Sequence, residues 1–239
     1  MQLDRLLQTQ GFGTRSNCRS LIREGRVRVN DKICTDIESD VLCESLIFSV
    51  DDIQWQYRHR VYLMLHKPTL YECSHRPSHY PSVYSLLPAP LIARGVQAVG
   101  RLDADTTGLL LFSDDGQFIH TFTAPRKHIE KCYEVRTRYP VSSSLVERLL
   151  SGVILHDDPE PILATACNAI DDYRLRMTIT EGKYHLVKRM IAAGGNRVEQ
   201  LDRISIGKLV IPATLAPGHW QWLDDAELVS LGWVPPAVG

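Results

Sequence analysis

Asp103 is the residue whose neighbours best equip it to do chemistry. It sits in Gly100–Gly108, the run GRLDADTTG, which is followed by apolar Leu109–Phe112 and then by Ser113, Asp114, Asp115 and Gly116. This reads as the end of one strand, a tight polar turn and a second strand that is apolar on both faces. Arg101 precedes Asp103 by two residues, so in an extended segment both side chains project from one face. A carboxylate held on a rigid element beside a cation can act as a nucleophile or a base. Two further segments could converge on it. Glu130–Val135 reads as an alternating strand with a tyrosine, and Thr180–Met190 as a strand running through Gly182 into the basic start of a helix.

The elements that must position these residues can be read along the chain. Leu3, Leu6 and Leu7 give a helical stripe that stops near Gly11 and Gly13. Ser16 is a candidate cap for a second helix, with Gly25 just past its end. Arg26–Val29 alternates, Asn30-Asp31 turns and Lys32–Cys34 returns, which predicts a hairpin. A polar connector spans Asp51–Arg60, followed by a strand over Val61–Leu65 that ends in His66-Lys67-Pro68. A short helix is expected near Ser82–Leu87. Further strands are predicted over Cys132–Tyr139, Arg174–Thr180 and Val198–Ile206, and helices over Ser142–Leu150, His185–Ala193 and Asp224–Leu231. Asp114–Gly116 reads as a turn and helix start, and Trp233–Pro236 as a tail. Strands outnumber helices without strict alternation, which predicts an α+β fold on a mixed, largely antiparallel sheet.

The 239 residues suffice for a core-bearing domain plus a small second one. Composition is that of an ordinary globular protein, 44% hydrophobic and 23% charged. Met1–Arg5 lacks the apolar run of a signal peptide and no stretch approaches membrane-spanning length, so a cytoplasmic protein with no membrane partner is expected. The six cysteines show no metal-ligand or redox spacing and are expected as thiols. Net charge is −1, yet Arg5–Lys32 carries seven basic residues against two acids, and Asp36–Asp52 carries six acids and no base. Phosphate binding follows local potential, not the total, so the front of the chain is a candidate nucleic-acid surface.

That front unit, with LDRLL, the spacing of Ser16 and Arg19, and GRVRVNDK at Gly25–Lys32, resembles the small RNA-binding domain named after ribosomal protein S-four. The resemblance implies that Arg15, Arg19, Arg23, Arg26 and Arg28 face structured RNA. Over almost the whole chain there is a second resemblance, to the pseudouridine synthases that modify ribosomal RNA. It rests on GRLDADTTGLLLFSDDGQFIH at Gly100–His120, HKP at His66–Pro68, APRKHIEKCYEV at Ala124–Val135, EGKYHLVKRM at Glu181–Met190 and LAPGHW at Leu215–Trp220. It implies an S-four-like domain over residues 1–58 and a catalytic domain over 59–239. By it, Asp103 is the catalytic aspartate, Tyr133 the ring that stacks on the target base, Lys188 the aspartate's basic partner and Arg101 the residue beside the flipped nucleotide. Lys67 and Arg189 join the RNA-binding set. His66 stands where the family often has Asn, and Leu186 where it usually has Gln.

The implied reaction converts one uridine to pseudouridine. The bond from the ribose to uracil nitrogen 1 breaks, the base turns, and carbon 5 joins the same sugar carbon. Redox state is unchanged and nothing leaves, so no cofactor and no metal is expected. A carboxylate is required, to attack the base or the sugar or to remove a sugar proton. Burial opposes its ionisation and a nearby cation favours it. At 4 Å and an effective dielectric of 20 that cation contributes about 4 kcal/mol, on the scale of the burial cost. Lys188 is the expected partner, with Arg189 the competing candidate. The uridine must leave its stack, at a cost of a few kcal/mol that an aromatic platform and a wedge would offset.

The acidic-turn variant resembles the small-subunit branch of the family more than the large-subunit one. The expected partner is small-subunit ribosomal RNA in a partly assembled particle, and the protein is expected to be a monomer. A non-catalytic assembly factor acting through residues 1–55 is the alternative from another class. The spacing of Asp103, Asp105, Thr107 and Asp114 mimics a calcium loop, but the last ligand should be Glu and positions 109–112 are apolar. Asp105 and the two threonines are expected to brace the turn by local hydrogen bonds. His120, His128 and His185 lack zinc spacing and read as ordinary surface or RNA-facing side chains.

Overall fold

The computed structural model describes residues 1–156 and 158–236. The described residues form two compact units, Met1–Val61 with Leu87–Val96, and Tyr62–Leu86 with residues 97–236. Among the described residues no helix is long and apolar enough to cross a membrane, and all six cysteines are free.

The first unit starts with helices α1 (Leu3–Thr9) and α2 (Arg15–Arg23). The cap of α2 is Thr14 rather than Ser16: its side chain accepts from Asn17 N–H while the Asn17 side chain answers to the Thr14 backbone. Strands β1 (Val27–Val29), β2 (Lys32–Ile33), β3 (Ile47–Val50) and β4 (Ile53–Gln56) form an antiparallel sheet in the order β2-β1-β3-β4. Asn30 and Asp31 both adopt positive φ, the turn that matches the twist of a tight hairpin. Part of the expected polar connector is strand: β4 occupies Ile53–Gln56, and Trp55 packs edge-on against Phe12. Leu3, Leu6, Leu7, Cys18, Ile22, Val27, Phe48 and Val50 form the core. Helix α3 (Ala89–Ala93) belongs to this unit despite its distance along the chain. Arg94 just after it donates to the Gln10 side chain and the Arg58 and His59 carbonyls.

The second unit holds β5 (Tyr62–Lys67), β6 (Gln97–Val99), β7 (Thr107–Ser113), α4 (Gly116–Thr123), β8 (Lys131–Thr137), α5 (Ser143–Ser151), β9 (Val153–Leu155), β10 (Asp158–Ile162), β11 (Ala166–Asp171), β12 (Arg174–Ile179), α6 (Leu186–Ala193), β13 (Val198–Ile206), β14 (Leu209–Val210), β15 (Trp220–Trp222) and α7 (Asp225–Ser230). Its large sheet runs β11-β12-β8-β13-β7-β5-β15, with β14 on β13 and β6 on β7. The expected mixed, largely antiparallel sheet is present. Every pairing in it is antiparallel except β13 with β7. Tyr62, Met64, Leu109, Leu111, Phe118 and Phe122 lie in one core cluster. Trp233 is part of that layer and not a tail, because its ring packs on Tyr62, Phe118 and Phe122.

One edge of β7 is shared. β13 pairs with Thr107 and Gly108, whereas β6 pairs with Leu111–Ser113. Between these pairings the chain from β6 to β7 swings out as the loop Gly100–Thr106. The close approach requires glycine at 108, where an added Cβ would lie 2.3 Å from the Arg203 carbonyl oxygen.

Candidate active site

Asp103 lies in that loop, four residues beyond the end of β6, and not on a strand end as expected. Backbone and buried side chains make the loop rigid. Thr106 N–H donates to the Asp103 carbonyl at 3.1 Å and Leu70 N–H to the Ala104 carbonyl at 2.7 Å. Leu102 is buried and its N–H points to the Cys73 sulfur at 3.5 Å. Thr107 donates to the Asp202 carboxylate at 2.8 Å.

Lys67 closes the loop from beneath. It is fully buried, and its ammonium donates to the carbonyls of Pro68, Ala104 and Thr106 at 3.0, 3.2 and 2.9 Å. Burial lowers its pKa, against the pull of Cys73, Asp105 and Asp103. The expectation that Lys67 meets RNA is corrected: its donors are spent inside the fold. His66, beside it, places Nδ1 2.7 Å from the Leu215 carbonyl, tying β5 to a distant segment.

Two side chains from α6 and its N-terminus reach Asp103. Lys188 Nζ lies 2.9 Å from Asp103 Oδ2 and 2.6 Å from Asp105 Oδ1. His185 Nε2 lies 3.2 Å from Asp103 Oδ1. Of the competing cations the pairing falls to Lys188, because Arg189 turns to the Tyr184 carbonyl at 3.2 Å. Burial works against the charge on Lys188, but the hydrogen bonds to Asp105 and Asp103 outweigh it and raise its pKa. Burial likewise opposes the charge on Asp105, and Lys188 overcomes it, so that carboxyl is lowered. Asp105 therefore shares the lysine and does not brace the turn locally as expected. Leu186, Val187, Met190 and Ile191 are buried and anchor the helix.

His185 is the functional candidate that sequence reasoning missed. It is neither an ordinary surface histidine nor simply RNA-facing. As the residue preceding α6 it adopts φ +50°, uncommon for a residue with a side chain, and its ring stacks on exposed Tyr184 at 3.7 Å. Lys183 pairs with Asp158 and Glu181 at the base of the same turn.

Asp103, His185, Arg101, Tyr133, Lys131 and Arg203 are among the residues that line a cavity of about 140 Å³. A cavity near 150 Å³ holds one benzene-sized ring, so the space suits a single pyrimidine. Tyr133 is 8% exposed on β8. Arg101 is exposed at the mouth, and no ion pair holds it among the described residues. Among the described residues no group of three His, Cys, Asp or Glu side chains is placed to hold a metal.

The arginines of the first unit are mostly engaged. Arg15 and Arg19 both lie 2.8 Å from the buried Asp4 carboxylate. Arg26 pairs with Asp51 and Glu24, and Arg28 with Asp52. The acidic run Asp36–Asp52 thus folds back in part onto the basic hairpin. Arg23 is exposed, with no ion pair among the described residues.

The family model described as RNA pseudouridylate synthase matches residues 61–193, and that of the S4 domain matches residues 1–42. The chain is 36% identical over 231 residues to the ribosomal small subunit pseudouridine synthase A of Haemophilus influenzae, covering 97% of this chain and 99% of that protein. It is 38% identical over 232 residues to the protein of the same name from Escherichia coli strain K12, covering 97% and 100%. A crystal structure of a pseudouridylate synthase superposes with a TM-score of 0.68 at 34% identity, over 97% of this chain and 99% of that one. With a carboxylate held between Lys188 and His185 at a pyrimidine-sized cavity, and an S4 domain in front, this chain belongs to the RNA pseudouridylate synthase family.

Proposed function

We propose that this protein isomerises one uridine of small-subunit ribosomal RNA to pseudouridine, with residues 1–58 anchoring it on folded RNA. The observation that carries the reading is the Asp103 carboxylate, paired with Lys188 at 2.9 Å on the wall of a cavity bounded by Tyr133. In the reaction the N1–C1′ bond breaks, a C5–C1′ bond forms, the C5 proton is lost and N1 gains one. Asp103 supplies the negatively charged oxygen that this exchange needs, at the base or at the sugar. Lys188 sets a positive charge 2.9 Å from that oxygen. Tyr133 offers its ring to the extruded base, and Arg101 fills the gap left in the RNA stack.

The names of the two relatives support small-subunit RNA over large-subunit RNA. The cytoplasm, where ribosomal particles assemble, is the place of action, and the chain acts as a monomer. Pseudouridine mapping of ribosomal RNA tests the proposal in a deletion strain complemented with wild type or with Asp103→Asn. One small-subunit position should be modified only with the wild type. An unchanged map in the deletion strain overturns the assignment. A deletion phenotype fully rescued by Asp103→Asn would instead favour a binding role.

A further inference from the structure

Two cations in the wall of the Asp103 cavity, Lys131 and Arg203, have no acidic partner among the described residues. β13 places Arg203 opposite Tyr133 of β8, and Lys131 precedes Tyr133 by two residues. The three side chains therefore project from one face of neighbouring strands, and all three line the cavity. Arg203 is 3% exposed. Its Nε donates to the Leu109 carbonyl at 2.8 Å, in the stretch of β7 between the β13 and β6 pairings. Its Nη2 is buried and has no hydrogen-bond partner among the described residues. Lys131 Nζ donates to the Ile129 carbonyl at 2.9 Å. Burial, and then the positive charge of Arg203, push this ammonium down to about 8.

A sheet staple explains only part of this. Bridging to the Leu109 carbonyl uses one of the five donors of a guanidinium, and a neutral donor would serve as well. A buried cation facing only neutral carbonyls is costly, and a second cation beside it adds repulsion. Both are offset once an anion enters. A uracil carbonyl is neutral and would need a single donor, whereas a phosphodiester carries the charge and the several acceptor oxygens that this pair matches.

We propose that Lys131 and Arg203 form an anion subsite that receives a backbone phosphate flanking the extruded uridine. This fixes the sugar of the target nucleotide against Asp103. The inference rests on the reading of the cavity as the uridine site. Either flanking phosphate has the required chemistry, and the test separates them.

The full chain is assayed on a short synthetic RNA containing the mapped uridine. Single methylphosphonate linkages, which lack the charge, are placed on its 5′ or its 3′ side. Lys131→Met should raise KM by about tenfold, the scale of one charge-assisted contact, and more than it lowers kcat. Its melting temperature should equal or exceed that of the wild type, since an unpaired buried charge is gone. Wild type should show the same rise on one of the two methylphosphonate RNAs, which identifies the phosphate. On that RNA Lys131→Met should lose nothing further. Arg203→Lys, which keeps the charge but not the fork, should fall between the two. The proposal is overturned if both methylphosphonates leave the wild-type KM unchanged, or if the losses from variant and analogue multiply. A wild-type enzyme that leaves the unmodified RNA unconverted overturns the reading of the cavity and this inference with it.

Discussion

Each unit of the molecule contains a carboxylate held by two nitrogen-bearing side chains, and the two sites differ in what else surrounds them. Asp4 in the first unit is 1% exposed and meets Arg15 and Arg19 at 2.8 Å each. Asp103 in the second is 25% exposed and meets Lys188 at 2.9 Å and His185 at 3.2 Å. Asp4 sits on a helix with its neighbours Leu3, Leu6 and Leu7 in the core, and its partners extend to the surface. Asp103 sits on a loop locked by Lys67 from beneath and opens onto a cavity with an aromatic wall. An ion pair alone therefore does not mark a site. A pair placed against an unfilled, ring-sized space does.

The largest effect that can test this contrast is on turnover. Asp103→Asn keeps the shape and removes the charge, so turnover should fall by about a thousandfold or more. Stability should change by less than about 1 kcal/mol, because the residue is partly exposed and supports no core. Single-turnover conversion and a melting curve on one preparation check both halves. Residual turnover near wild type would reduce Asp103 to the status of Asp4. Lys188→Met should cost about a hundredfold or more while RNA binding persists. In that variant Asp103 and Asp105 lose their shared cation, and His185 is the remaining basic group at Asp103. Removing that group as well, in the double variant Lys188→Met/His185→Ala, should lower conversion further still.

How much of this was legible follows from which forces leave a trace in local pattern. β13 was read at its observed bounds, Val198–Ile206, because its alternation reflects a sheet with one buried face. Asp115 and Asp224 were legible as helix starts because capping is a local hydrogen-bond requirement. The resemblance assigns Lys67 to RNA, whereas it ends a strand in which five of six residues are buried. The apolar run Val61–Leu65 that leads into it was the available signal. Trp233 follows a glycine near the end of the chain, and nothing local shows that a distant Phe118 lacks a packing partner. His185 depends on a positive φ that sequence signals mainly at glycine, asparagine and aspartate. The convergence of Asp103 with Lys188, across 85 positions, was legible only through the family resemblance.

The smallest expected effect concerns Asp4, and it is the counterpart to Asp103→Asn. Burial raises the Asp4 carboxyl, but the hydrogen bonds from Arg15 and Arg19 outweigh it and leave its pKa below the ordinary 3.8. A group whose folded pKa is depressed adds stability that is full above its unfolded value and is lost as pH falls through the folded one. Asp4→Asn should therefore cost about 1–3 kcal/mol at pH 7, less than a fully buried pair, since both arginines can hydrate once released. The gap between variant and wild type should narrow as the pH falls below 3.8, where the wild-type carboxylate is itself being neutralised. Urea titrations of both proteins at pH 7 and pH 3 measure this. A gap that stays constant would mean the Asp4 cluster stabilises by shape and hydrogen bonding alone. With kcat held at the wild-type value, the variant would show that one carboxylate serves the fold and the other the chemistry.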